Sequence, residues 1–247
     1  MPPSTSIAVQ TARTAPAPRA LQLVRERPAA LAFRPEAELP RRLLNIVVAA
    51  IGLVLTAPLM AAIAVLIKVT SRGPVFYAQT RVGLDRRDPT VISLNHRRSS
   101  NLGGAPFRIY KFRTMTATPA HADQVWARPQ DPRVTPLGRF LRNYRLDELP
   151  QLWNVLRGEM NVVGPRPEQP KIFLELRDKI DDYELRQCVR PGITGWAQIN
   201  NGYDHTIADV RRKVAYDLQY IARQSLLHDL WIMACTLPVM VLKRGAW

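Results

Sequence analysis

Between Leu43 and Ile67 the chain reads LLNIVVAAIGLVLTAPLMAAIAVLI, 25 residues without a charge. As one straight helix this run measures roughly 37 Å, enough to cross the hydrocarbon core of a bilayer. A single membrane span is the plain reading. Two features oppose it. Pro58 lies inside the run, where it removes a backbone hydrogen bond and favours a break. Positive charge also sits on both flanks: Arg34, Arg41 and Arg42 precede the run, and Lys68 and Arg72 follow it. Basic flanks belong on the cytoplasmic side, and a straight span cannot put both there. A helix bent at Ala57-Pro58 that enters and leaves by one face can, provided protein or headgroups cover the freed backbone. On these residues alone, crossing and re-entry stand level.

The net charge of +15 makes polyanions the natural partners. Nucleic acid, anionic lipid headgroups and a phosphorylated substrate all qualify. Nucleic acid is set aside, because the aromatic residues are not interleaved with the basic ones as a stacking platform requires. The two cysteines, Cys188 and Cys235, match no zinc or disulfide spacing. They read as ordinary buried thiols of a reducing compartment.

Residues 1–40 hold seven prolines and no helical or strand period, which predicts a disordered cytoplasmic tail rather than a signal peptide. Residues 41–70 are expected to form a membrane helix and 71–247 a cytoplasmic domain. The segments GPVFYAQTRVG (Gly73–Gly83) and PFRIYKFRTM (Pro106–Met115) alternate like half-buried strands. Between them the basic, Gly/Ser/Asn-rich stretch 84–105 predicts a mobile loop. Helical periods follow at about 136–143, 148–157, 168–186, 205–223 and 229–243. The fold class is therefore α+β and mostly helical. The uncharged run Leu230–Leu242 is too short to span and suits either a core helix or one lying in the membrane interface.

The densest chemistry lies in RLDELPQLWNVLRGEMNVVGPRP, Arg145–Pro167. Asp147 suits a helix N-cap, with Pro150 in the first turn, so a capped helix start is the bland explanation. The surrounding cations argue for more. Arg142 and Arg145 lie just upstream, Arg166 sits between Pro165 and Pro167, and Lys111 and Arg113 come from KFRTM. Arginines grip phosphate oxygens bidentately, one carboxylate can hold Mg²⁺, and a second can attack phosphorus. The pattern assigns one nucleophile and one metal ligand without saying which is which. In VRPGITGWAQIN (Val189–Asn200), Gly192 and Gly195 permit tight turns, either with amides that cradle an anion or a uracil ring or as a plain Pro-Gly turn joining two helices.

KFRTM, LDELPQLWNVLRGEMNVVGPRP and PGITGWAQIN, in this order after GPVFYAQTRVG, resemble the bacterial sugar transferase family. These are monotopic phosphoglycosyl transferases that begin glycan assembly on polyprenol phosphate. The resemblance runs from about Pro40 to the C-terminus. It implies transfer of a sugar 1-phosphate, a hexose 1-phosphate being expected, from a UDP-sugar to polyprenol phosphate with release of UMP. The implied route is a covalent phosphosugar on aspartate, with Mg²⁺ required. Asp147 is then the expected nucleophile and Glu148 the Mg²⁺ ligand. Arg142, Lys111 and Arg113 are expected at the substrate phosphate, and Arg166 and Gln198 on the nucleotide side. The family's anchor is a re-entrant helix broken at a proline, here Pro58, which favours re-entry. The location implied is the cytoplasmic face of the bacterial inner membrane, against its phospholipid. Asn45 departs from an aspartate common in relatives, and the 84–105 insert exceeds the usual turn.

A non-catalytic basic membrane-surface adaptor is the rival reading, since it needs the arginines but not Asp147. The sequence names neither the sugar nor the oligomeric state, and leaves a homodimer open.

Overall fold

A computed structural model describes residues 35–85, 103–116, 131–201 and 206–241. The expected tail up to residue 34 and most of the 84–105 insert lie outside the described residues.

Helix α1, Pro35–Thr70, is 36 residues long. It starts before Arg41, so the last residues assigned to the tail, 35–40, are helical. It also runs on through Pro58, and no interruption marks the expected break. A proline deletes one rung of the helical ladder and its ring crowds one carbonyl, while the remaining rungs survive. Helix α1 is long and apolar enough over Leu39–Thr70 to cross a membrane, with a mean hydropathy of 2.5 in its 18-residue apolar window.

Both ends of α1 are tied to the same body. At the front, Arg42 donates to the carbonyls of Val155 (2.5 Å) and Leu156 (2.8 Å). Arg41 donates to Asp229 (2.8 Å), and also to Gln224 and Tyr220. At the back, Ile63 and Ile67 pack with Phe112 and Leu141. Between them Val54 and Leu55 are each 74% exposed, too much apolar surface for water to be the evident solvent. Asn45 is fully buried. Its Nδ2 donates to the Arg41 carbonyl (2.6 Å), and its Oδ1 accepts from Val162 N (2.5 Å). Asn45→Ala leaves the Val162 amide buried without an acceptor, an expected loss of about 1–3 kcal/mol readable as a lower denaturant midpoint with an unchanged m-value.

Strands β1 (Phe76–Val82) and β2 (Pro106–Phe112) pair antiparallel, with Tyr77 opposite Lys111, as their alternation predicts. Helix α2, Pro136–Asn143, starts on Thr135, whose Oγ1 accepts from Gly138 N. Gly138 lies against the Thr114 carbonyl, where a Cβ would come within 2.0 Å of the oxygen. Only glycine lets α2 come this close to the end of β2.

The expected helix at 148–157 is shorter and preceded by a separate 3₁₀ turn at Leu146–Glu148; α3 covers Gln151–Leu156. The expected helix at 168–186 is also divided. Helix α4 covers only Pro170–Arg177, and after Asp182, left-handed at φ 61°, a 3₁₀ segment runs Tyr183–Cys188. Two three-residue strands, β3 (Asn161–Val163) and β4 (Gly192–Thr194), pair in parallel. Helices α5 (Trp196–Asn200), α6 (Ile207–Arg223) and α7 (Leu226–Val241) complete the chain. Gly192 and Gly195 do not serve as turn residues. Gly195 is extended, and a Cβ on Gly192 or Gly195 would fall 2.1 or 2.3 Å from the Gly164 backbone. These glycines let two chain segments touch.

The main core gathers Ala49 of α1, Ile109 of β2, and Val163, Phe173, Tyr183, Leu218 and Ile232. A smaller one joins α1 to β2 and α2 through Ile63, Ile67, Phe112 and Leu141. Both cysteines are free and only part-buried, not fully buried as expected. Burial still pushes the Cys188 thiol up to about 11, helped by Asp85 and Glu184, so it stays protonated and unreactive at neutral pH.

Candidate active site

The two neighbouring acids come from a strained corner. Arg145 adopts a left-handed conformation, φ 55°, which costs a non-glycine residue about 1 kcal/mol or more. The 3₁₀ turn that follows carries Asp147 and Glu148 inward, 7% and 6% exposed. Leu146 and Leu149 flank them and pack on the smaller core. Asp147 is therefore not the N-cap of the next helix. Pro150 occupies that position without a side-chain cap, because the 3₁₀ turn ends the local structure one step early and α3 begins afresh.

The two carboxylates live in different fields. Lys111 Nζ lies 2.7 Å from Glu148 Oε1, and Arg166 grips the same carboxylate through Nη2 (2.6 Å) and Nη1 (3.3 Å). Burial works to raise the Glu148 pKa, but Arg166 and Lys111 outweigh it and hold the group well below the usual range. At Asp147 burial dominates and raises the pKa; Lys111, Arg142 and Arg166 oppose it, while the Glu148 charge adds to it. One acid is thus clamped as an anion while its neighbour is more basic than an ordinary aspartate. Neighbouring carboxylates driven apart in this way have separate chemical duties.

Of the expected cations, Lys111, Arg142 and Arg166 act on Asp147. Arg142 is steered by a hydrogen bond from Nε to Thr114 Oγ1 (2.9 Å). Arg113 is used otherwise. Its guanidinium donates to the carbonyls of Arg72 (2.7 Å) and Ser71 (2.9 Å) and to Ser71 Oγ. It fastens the residues after α1 to the end of β2; the strand stops at Phe112, so its alternation, which would keep Arg113 on the same face as Lys111, no longer governs Arg113. Gln198 sits at the corner after β4 and donates to the Ile193 carbonyl (3.2 Å), with its buried Oε1 unpartnered. Gln151, four residues after Asp147 and 1% exposed, likewise keeps its Nε2 unpartnered. Among the described residues no three His, Cys, Asp or Glu side chains gather into a metal cage. Mg²⁺ does not ask for one: it takes one or two carboxylates and completes its shell with water and phosphate oxygens. Glu148, held ionised beside Asp147, fits that donor set.

The loop bearing Arg166 is held at three successive carbonyls. Arg186 Nη2 donates to Arg166 O (3.0 Å), Arg81 Nη1 to Pro167 O (3.1 Å), and Val82 N to Glu168 O (2.9 Å). Arg186 is itself fixed by Asp217 (2.7 Å) and Tyr183 (2.9 Å). No motif marks Arg186, and Arg81 read only as a strand residue; the loop carbonyls they hold lie 20 and 86 positions away. Glu168 bonds Lys213 (2.8 Å). Burial works to raise the Glu168 pKa, but Lys213, Arg186 and Arg81 bring it down from 4.5 to about 2. A depressed carboxylate stabilises the fold above its unfolded pKa and loses that contribution as pH falls through the folded value. Glu168→Gln is therefore expected to cost about 3 kcal/mol at pH 7 and little near pH 2, a difference that denaturant titrations at the two pH values measure.

A family model described as "Bacterial sugar transferase" matches residues 36–243. The chain belongs to the bacterial sugar transferase family. It is 40% identical over 206 residues to a UDP-N-acetylgalactosamine-undecaprenyl-phosphate N-acetylgalactosaminephosphotransferase of Aeromonas hydrophila, covering 83% of this chain and 44% of the relative. It is 39% identical over 228 residues to a UDP-glucose:undecaprenyl-phosphate glucose-1-phosphate transferase of Caulobacter vibrioides, covering 92% and 79%. It is 35% identical to the exopolysaccharide production protein ExoY of Sinorhizobium fredii, covering 87% and 92%. The chain thus spans less than half the length of the Aeromonas relative and nearly all of the Sinorhizobium one. Within this bacterial sugar transferase the Asp147–Glu148 pair brings two buried acids together with Lys111, Arg142 and Arg166.

Proposed function

We propose that this sugar transferase moves a sugar 1-phosphate from a UDP-sugar to polyprenol phosphate through a covalent intermediate on Asp147. The observation that carries the reading is the split between the two carboxylates: Glu148 is clamped by Lys111 and Arg166, and Asp147 beside it has a raised pKa. In the first step an Asp147 carboxylate oxygen attacks the phosphorus bonded to the sugar. The bond from that phosphorus to the bridging oxygen breaks, and UMP leaves with the electron pair. In the second step an oxygen of polyprenol phosphate attacks the same phosphorus. The aspartyl oxygen then leaves and the carboxylate is restored, so protons balance without a separate acid. Arg142, Lys111 and Arg166 neutralise the phosphate charge that builds up around the attacking oxygen. Arg166, on the loop after β3, and Gln198, on α5 after β4, suit the nucleotide side. Glu148, with Asp147 beside it, would hold Mg²⁺, and the bound ion would supply Lewis-acid charge to the diphosphate.

Because attack needs ionised Asp147 and burial raises its pKa, the acid limb of kcat is expected above the ordinary aspartate value of about 3.9. Purified protein given polyprenol phosphate, Mg²⁺ and a panel of UDP-sugars should release UMP with one sugar preferred. Failure with every UDP-sugar would favour the adaptor reading. The relatives' names cover both glucose and N-acetylgalactosamine donors, so the panel begins there and with galactose.

The same reading sets α1 into the cytoplasmic leaflet as a re-entrant element turned near Pro58, with surface glycan synthesis as the pathway. Support comes from Arg41, Arg42 and Asn45 at one end and Ile63, Ile67 and Ser71 at the other, all bonded to or packed on one body, with the bare apolar middle at Val54 and Leu55. Cysteines introduced at Pro35 and Arg72 should both label from the cytoplasmic side only. Labelling of either from the periplasm would point to a span.

A further inference from the structure

We propose that a second, non-catalytic site lies between α5, α6 and α7 and takes the phosphodiester headgroup of an anionic bilayer lipid. A cavity of about 370 Å³ opens there, lined by Trp196, Gln219, Arg223, His228 and Trp231. None of the five belongs to the Asp147 cluster, and none is a carboxylate. Arg223 is exposed, and its guanidinium makes no hydrogen bond or ion pair among the described residues. The aromatic rings are packed into a fixed wall: Trp196 meets Trp231 at 5.3 Å and His228 at 5.9 Å, and His228 meets Trp231 at 6.0 Å. Trp196 Nε1 is already spent on Gln219 Oε1 (3.3 Å), which turns the amide N–H groups of Gln219 to other acceptors.

The neighbouring surface selects the occupant. On α7, Leu227, Leu230, Trp231 and Leu237 fall on one helical face and are exposed (79%, 46%, 50% and 65%), while Asp229 and Ile232 on the opposite face are fully buried. That outward stripe is apolar, and the cavity opens at its edge through Trp231. An amphipathic ring beside a free arginine, bordering an exposed apolar stripe, matches the headgroup level of a membrane. A cation such as choline would suit the indoles alone, but Arg223 repels it. A phosphomonoester dianion is better matched by the three cations around Asp147, whereas one arginine suits a diester monoanion. The inference rests on the membrane reading of α1, not on the transfer chemistry. Occupancy would fix the tilt of α6 and α7 against the bilayer.

The test is a fluorescence titration of the full chain in zwitterionic detergent with dihexanoyl phosphatidylglycerol, with Trp231→Phe isolating the local signal among five tryptophans. Wild type should show a saturable change. Arg223→Gln should weaken it about tenfold, the loss of one charge-assisted hydrogen bond, and Asp147→Asn should leave it intact. UMP release by Arg223→Gln in detergent should match wild type, which separates this site from the reaction. An equal response to dihexanoyl phosphatidylcholine, a preference for geranyl phosphate, displacement by UMP, or an unchanged Arg223→Gln titration would each overturn the proposal.

Discussion

Asp147→Asn is expected to lower sugar-phosphate transfer by about 10⁴-fold or more, the scale of losing a catalytic nucleophile, while the folded state is kept or strengthened. The second half follows from the sign of the shift. Burial raises the Asp147 pKa, so the folded state disfavours its charge, and a neutral isostere removes that penalty. Glu148→Gln should behave in the opposite way. It leaves Lys111 and Arg166 without the carboxylate they share at 2.7 and 2.6 Å, so stability falls along with activity. Two measurements separate the acids: UMP release, and thermal midpoint in the same buffer. Intact-mass analysis of protein quenched after UDP-sugar alone should find a sugar-phosphate adduct in wild type and none in Asp147→Asn. An Asp147→Asn enzyme that retains turnover within tenfold, or still carries the adduct, would remove the nucleophile from this side chain.

Arg186→Met is expected to destabilise the protein by about 3–5 kcal/mol. Arg186 and Asp217 form an ion pair with side chains 0% and 2% exposed, and removing one partner strands a buried charge. The companion variant Arg186→Met/Asp217→Leu removes both charges and should recover most of that loss, since buried pairs replaced by packed apolar groups are often neutral. It should not recover full activity. Arg186 also donates to the carbonyl of Arg166, and without that bond the arginine facing Glu148 loses one of the three holds on its loop. Denaturation curves for the single and double variants, set beside their kcat and KM, separate the structural role from the positioning role. A double variant with both stability and kinetics of wild type would show that the Arg166 loop needs no such support.

The legible parts of this protein were those written locally. The uncharged run from Leu43 declared an apolar helix, the period-2 segments at 76–82 and 106–112 declared a hairpin, and Thr135-Pro136 opened α2 where propensity put it. The acids at 147 and 148 and their attendant Lys111, Arg142 and Arg166 were named from residue type and motif. What sequence could not assign was decided by crossings between distant segments. Arg113 and Lys111 are near neighbours in one basic motif, yet Lys111 reaches Glu148 while Arg113 is spent on the end of α1. Gly192 and Gly195 looked like turns, and instead they let one backbone pass against Gly164. Strands of three residues carry too little alternation to announce themselves, so β3 and β4 emerged only when paired. Residue type sets which interactions a side chain can make, and local pattern sets which element it rides on. Which of those interactions is realised depends on what the rest of the chain brings within about 3 Å, and for Arg81, Arg186 and Arg113 that was information held only in three dimensions.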